Sequence, residues 1–119
     1  FISGKDYSKA MHSAYNDGDV KKAIEIIEDG LKKFPDNSDL WSDYGALLNN
    51  LGRYEEATEA TDKAISLDGS NAHAWYVKGY ALEKLEKYLD AEIYYKKSLE
   101  LKPDDEDFEE ALDRVRSFI

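Results

Sequence analysis

From residue 4 onward the apolar positions return every three or four residues, the spacing of one face of an α-helix, and short polar runs interrupt them at regular intervals. Seven helices follow from this pattern, near residues 5–16, 20–33, 38–50, 54–67, 72–84, 88–101 and 105–117. Among the breaks are NDGDV, FPDNSD, NLGRY, DGSN and KPDD. Pro35 has no N–H with which to continue a helix, and Asp36, Asn37 or Ser38 is placed to cap the next one. Gly69 stands where a helix can stop in a left-handed turn. In the seventh helix Phe108, Ala111, Leu112, Val115 and Phe118 share one face and charges take the other. The helical period puts the fold class at all-α.

Gly45 is out of place in this pattern. It sits inside the third helix, where glycine gives up about 1 kcal/mol against alanine. Either it is a chance surface residue, or the backbone there comes very close to a neighbour. Thirty-four residues on lies Gly79, and the same offset links Trp41 to Trp75, Leu51 to Leu85, Tyr54 to Tyr88, Ala57 to Ala91, Leu67 to Leu101 and Asn37 to Asn71. Going backward, Gly52 falls on Gly18, Ala57 on Ala23 and Ile65 on Leu31. The chain is a repeat, with units near 4–37, 38–71 and 72–105 and a capping helix near 105–117.

A helix-turn-helix unit of this length resembles the tetratricopeptide repeat (TPR). The residues that carry the resemblance are Trp41, Tyr44, Gly45, Tyr54, Ala57 and Ala64 in the second unit, and Trp75, Gly79, Tyr88, Ala91, Ser98 and Pro103 in the third. The first unit departs most. Tyr7, Ala10, Gly18, Ala23 and Pro35 fit, but Met11 stands at the register of Gly45, and Gly30 replaces the expected alanine. The resemblance implies a right-handed α-solenoid of three units and a cap, in which Gly45 and Gly79 let the second helix of their own unit and the next unit approach closely. Met11 then implies looser packing in the first unit. The resemblance also implies that the first helices line a concave groove for an extended peptide or another protein segment.

Composition narrows the function. The formal net charge of -10 speaks against nucleic acid or an anionic membrane as partner. There is no cysteine, which removes disulfides and thiolate metal sites and fits a reducing, cytoplasmic setting. No run approaches the twenty or so apolar residues of a membrane span. The chain starts at Phe1 and not at methionine, so the expectation is a piece of something longer. With two histidines in different units, catalytic or metal chemistry has few candidates, because helices stack about 8–10 Å apart. The acids of KPDDEDFEE are read as complements to a helix dipole, not a calcium loop. No enzyme activity and no cofactor is expected.

Recognition is left. The groove-facing stripes should be Lys5, Ser8, Lys9 and His12 in the first unit, Asp39, Ser42, Asp43 and Ala46 in the second, continuing to Asn49, and His73, Tyr76, Val77 and Tyr80 in the third. Lys5 and Lys9 are expected to pair with Asp39 and Asp43. Tyr76 and Tyr80 combine apolar rings with hydrogen-bonding tips and are expected to anchor a ligand, although packing on the seventh helix competes for them. Many chaperone-cofactor members of the family grip a peptide carboxylate with two lysines, two asparagines and an arginine. The corresponding residues here are Ser8, His12, Asp43, His73 and Val77, so that grip is missing and Asp43 would repel a carboxylate. The leading reading is a protein-binding module. Self-association through the ends or convex face is the alternative, as is the non-catalytic part of a larger enzyme or scaffold.

Overall fold

The computed structural model describes residues 3–119. The helices are α1 (Gly4–Asn16), α2 (Val20–Lys33), α3 (Ser38–Asn50), α4 (Tyr54–Leu67), α5 (Ala72–Lys84), α6 (Tyr88–Leu101) and α7 (Glu106–Arg116). No strand occurs among the described residues. Capping chemistry sets most of the starts. Ser3 and Asp6 form a reciprocal capping box on α1. Asp19, Asn37, Asn71 and Asp105 each accept a backbone N–H from the first turn of α2, α3, α5 and α7. The turns inside the first two units close through Gly18 and Gly52 at positive φ, while the third places Glu86 there at φ 63°. Gly69 does not have positive φ, so the expected left-handed stop is absent. Its carbonyl instead accepts the Trp75 indole N–H at 3.0 Å, as the Pro35 carbonyl accepts that of Trp41 at 2.8 Å.

The helices stack as consecutive antiparallel pairs into a solenoid of 42 × 26 × 23 Å. The glycines fall at the tightest points. A Cβ on Gly45 would lie 2.6 Å from Thr61 Cγ2 in α4 and 3.4 Å from Val77 Cγ1 in α5, the same-unit and next-unit neighbours. On Gly79 it would lie 2.7 Å from the Tyr95 ring. In the first unit Met11 is 2% exposed and packs into the core with Tyr7, Ile27 and Leu47, so this position is buried and not loosely packed.

At the far end α7 buries Phe108, Ala111, Leu112 and Val115. Phe118, expected on that face, lies past the helix end, is exposed, and stacks on Tyr88. Three helices are tied together here. Glu83 of α5 accepts two hydrogen bonds from the Arg114 guanidinium of α7, both at 2.8 Å, and one from the Tyr95 hydroxyl of α6 at 2.7 Å.

Candidate functional site

The face that can receive a ligand follows from which helices touch. The first helices form a continuous row, α1 on α3, α3 on α5 and α5 on α7, whereas the backbones of α2, α4 and α6 stay farther apart, with no Cα of one within 8 Å of a Cα of another. A row in contact on one side and a spaced row on the other curve the stack, with the first helices on the inner, concave side.

Polar bridges run between these first helices. Ser8 of α1 donates to Asp43 Oδ2 of α3 at 2.5 Å. Ser42 of α3 lies 2.5 Å from His73 Nδ1 of α5. Lys5, Ser8, Asp39, Ser42, Asp43 and His73 line one cleft of about 390 Å³. No ion pair among the described residues joins Lys5 or Lys9 to Asp39 or Asp43. Asp43 takes a hydroxyl instead, and Asp39 only a long 3.4 Å contact from Asn71. The carboxylates of the middle stripe therefore face the cleft without an ion pair among the described residues, beside the Lys5 side chain that also lines it.

Burial pushes the pKa of His73 below its ordinary value, outweighing the opposite pull of Asp43 and Asp39, and His12 and Lys102 add to the lowering. Although side chains crowd the ring, the residue as a whole is exposed. His12 is exposed and its Nδ1 lies 2.7 Å from the Ser8 carbonyl, which accepts only, so Nδ1 carries the proton. Ser42 and His73 with two nearby aspartates resemble a hydrolytic arrangement. Ser42, however, is 1% exposed and its hydroxyl cannot reach a substrate.

The remaining stripe residues divide. Lys9 is exposed, and Ala46 and Tyr80 are half-buried, with Lys84 Nζ 5.3 Å from the Tyr80 ring centroid. Tyr76 is half-buried between two rings, stacked on Phe108 of α7 at 4.8 Å and 5.7 Å from Tyr95 of α6. Val77 is 3% exposed and packs toward Gly45, so it does not belong to the accessible stripe. Asn49 is also buried; its Nδ2 donates to the Val77 carbonyl at 3.0 Å, and its Oδ1 has no partner among the described residues. The bridges Ser8–Asp43 and Ser42–His73 join residues 35 and 31 apart and have no local signature in the sequence.

No group of three His, Asp or Glu among the described residues could hold a metal ion, and no helix is long and apolar enough to cross a membrane. Stacked helix pairs with a polar inner groove define a helical-repeat interaction module. A profile described as tetratricopeptide repeat matches residues 14–79, and another of the same description matches 72–105. The chain belongs to the tetratricopeptide repeat family, whose domains are in general non-catalytic modules for protein interaction.

A TPR repeat-containing protein of Dictyostelium discoideum is 38% identical over 77 residues, covering 65% of this chain and 29% of that protein. The Hsp70-Hsp90 organising protein of Plasmodium falciparum is 26% identical over 106 residues, covering 89% of this chain and 42% of that one. The chain thus spans less than half the length of these curated relatives. Among solved structures, the second TPR domain of human RPAP3 in complex with the HSP70 peptide SGPTIEEVD matches with a TM-score of 0.83 at 27% identity, covering 97% of this chain and 93% of that chain.

Proposed function

We propose that the protein is a non-catalytic binding module that holds a segment of a partner protein in the groove of α1, α3 and α5. The observation that carries this reading is the cleft where side chains of all three first helices meet, open to solvent on the concave side. The peptide complex of the RPAP3 domain supports a peptide-sized ligand for this fold. The chemistry differs from a grip on acidic tails, because Asp39 and Asp43 set two carboxylates against the single Lys5 at the centre of the groove. An apolar or aromatic segment, with neutral or basic flanks, is the ligand that fits, and it rests on Ala46, the exposed part of Tyr76, and Tyr80, beside His73.

The test is selection of displayed peptides on the immobilised chain, with counter-selection on a variant carrying Ala46→Glu and Tyr80→Ala. Groove ligands should lose about 2 kcal/mol or more of affinity on the variant, the scale of interface hot spots. Peptides bound equally by both would refute the placement. Tight, saturable binding of SGPTIEEVD to the unmodified chain would refute the exclusion of acidic tails.

A further inference from the structure

Four large apolar side chains are mostly exposed: Leu89 (65%), Ile93 (59%), Phe118 (56%) and Ile119 (59%). They gather at one end of the molecule, away from the groove. Leu89 and Ile93 are one turn apart on α6, and Leu89 shares a cleft of about 480 Å³ with Tyr88, Phe118 and Ile119. Phe118 forms its wall by stacking on Tyr88 at 4.6 Å and 10°.

The repeat itself shows that a further helical unit would not cover Leu89 and Ile93. At the register of Leu89 the earlier units have Lys21 and Glu55, and at that of Ile93 they have Glu25 and Glu59. All four are exposed, although further helices do follow their units. The cleft also has a counterpart one unit earlier, of about 250 Å³, where Tyr54 and Leu85 stand for Tyr88 and Ile119 and Glu55 for Leu89. Apolar character at this surface is therefore particular to α6 and serves a contact outside the solenoid.

We propose that this surface joins two copies of the chain, with α6 packed antiparallel on α6 of the second copy about a twofold axis at the height of Ala91. Charge decides for this occupant. Glu86, Lys87 and Asp90 flank the patch toward the start of α6, leaving that end net negative, and Lys96 flanks it toward the other end. Neither Glu86 nor Lys96 has an ion-pair partner within the chain among the described residues. Antiparallel pairing sets Leu89 of each copy against Ile93 of the other and Glu86 against Lys96, twice, as a self-complementary interface requires. The groove stays open in such a dimer.

Sedimentation equilibrium of the chain over about 1 to 500 µM should show a reversible monomer–dimer equilibrium. Leu89→Glu with Ile93→Glu gives both positions the residue type of the second unit, so the fold should survive, and dimerisation should weaken at least about tenfold. Glu86→Lys and Lys96→Glu should each weaken the dimer, and the two together should restore it. A chain that stays monomeric over the whole range overturns the proposal, which would include the case of a different partner for this surface. A dimer indifferent to the paired glutamates, with helix content unchanged by circular dichroism, overturns it too. If the paired glutamates disturb the fold, the charge swap decides, and failure of the double swap to recover association counts against the antiparallel arrangement.

Discussion

Gly79 puts local preference and packing in direct opposition. Inside a helix, alanine is favoured over glycine by about 1 kcal/mol, yet a Cβ here would meet the ring of Tyr95 at 2.7 Å. That ring cannot retreat: Tyr95 is fully buried, sits 5.7 Å from the Tyr76 ring, and is held at its hydroxyl by Glu83. Overpacking by one methyl group or more costs about 1–3 kcal/mol. Gly79→Ala should therefore lower stability instead of raising it, and Gly79→Leu should lower it by about 1–3 kcal/mol or more, read from urea unfolding. A stabilised alanine variant would show that the ring has room to move. The glycine was legible in the sequence because it recurs at a fixed offset, but its opponent was not, since the register of Tyr95 holds Thr61 and Ile27 in the other units.

For whole helices, sequence and structure agree closely where capping and breaking residues mark the ends, as Asn37, Asn71 and Gly52 do. They part over which side of a helix faces the groove. α5 touches α3, α4, α6 and α7, and is apolar nearly all round. Periodicity therefore could not tell Val77, which turns toward α3, from Tyr80, which stays half-exposed. The docking of α7 was legible as an apolar stripe, whereas the Glu83 tie behind it depends on residues 12 and 31 positions apart.

That tie makes the cap sensitive to acid. Burial pushes the Glu83 carboxyl up, but the Arg114 guanidinium and the Tyr95 hydroxyl outweigh it and hold the carboxyl below the usual value of 4.5. A group lowered in the folded state contributes stability that is complete above about pH 4.5 and is lost as pH falls through the lowered value. Arg114→Ala should cost about 1–3 kcal/mol at neutral pH, the range for hydrogen bonds to a charged group. It should also flatten the acid loss, because only the Tyr95 hydroxyl and Lys84 then oppose the upward push of burial on Glu83. Equal acid sensitivity in both proteins, followed by thermal unfolding from pH 3 to 7, would show that other carboxylates control it.

Over the whole molecule, a net charge of -10 on 119 residues opposes compactness through self-repulsion. The few ion pairs, such as Arg116–Glu92 and Arg53–Glu56, are at least partly exposed and offset little of it. Raising salt from about 0.02 to about 0.3 M should stabilise the fold by up to about 1 kcal/mol, because the screening length then falls below the spacing between units. A lower thermal midpoint in high salt would mean that attractive pairs outweigh the repulsion. The unequal rows of helices have a mechanical consequence as well. Bending that widens the groove pivots on the abutting first helices and changes the wider spacing between α2, α4 and α6. The molecule is accordingly built as a leaf spring, yielding most readily in the direction that opens and closes its inner face.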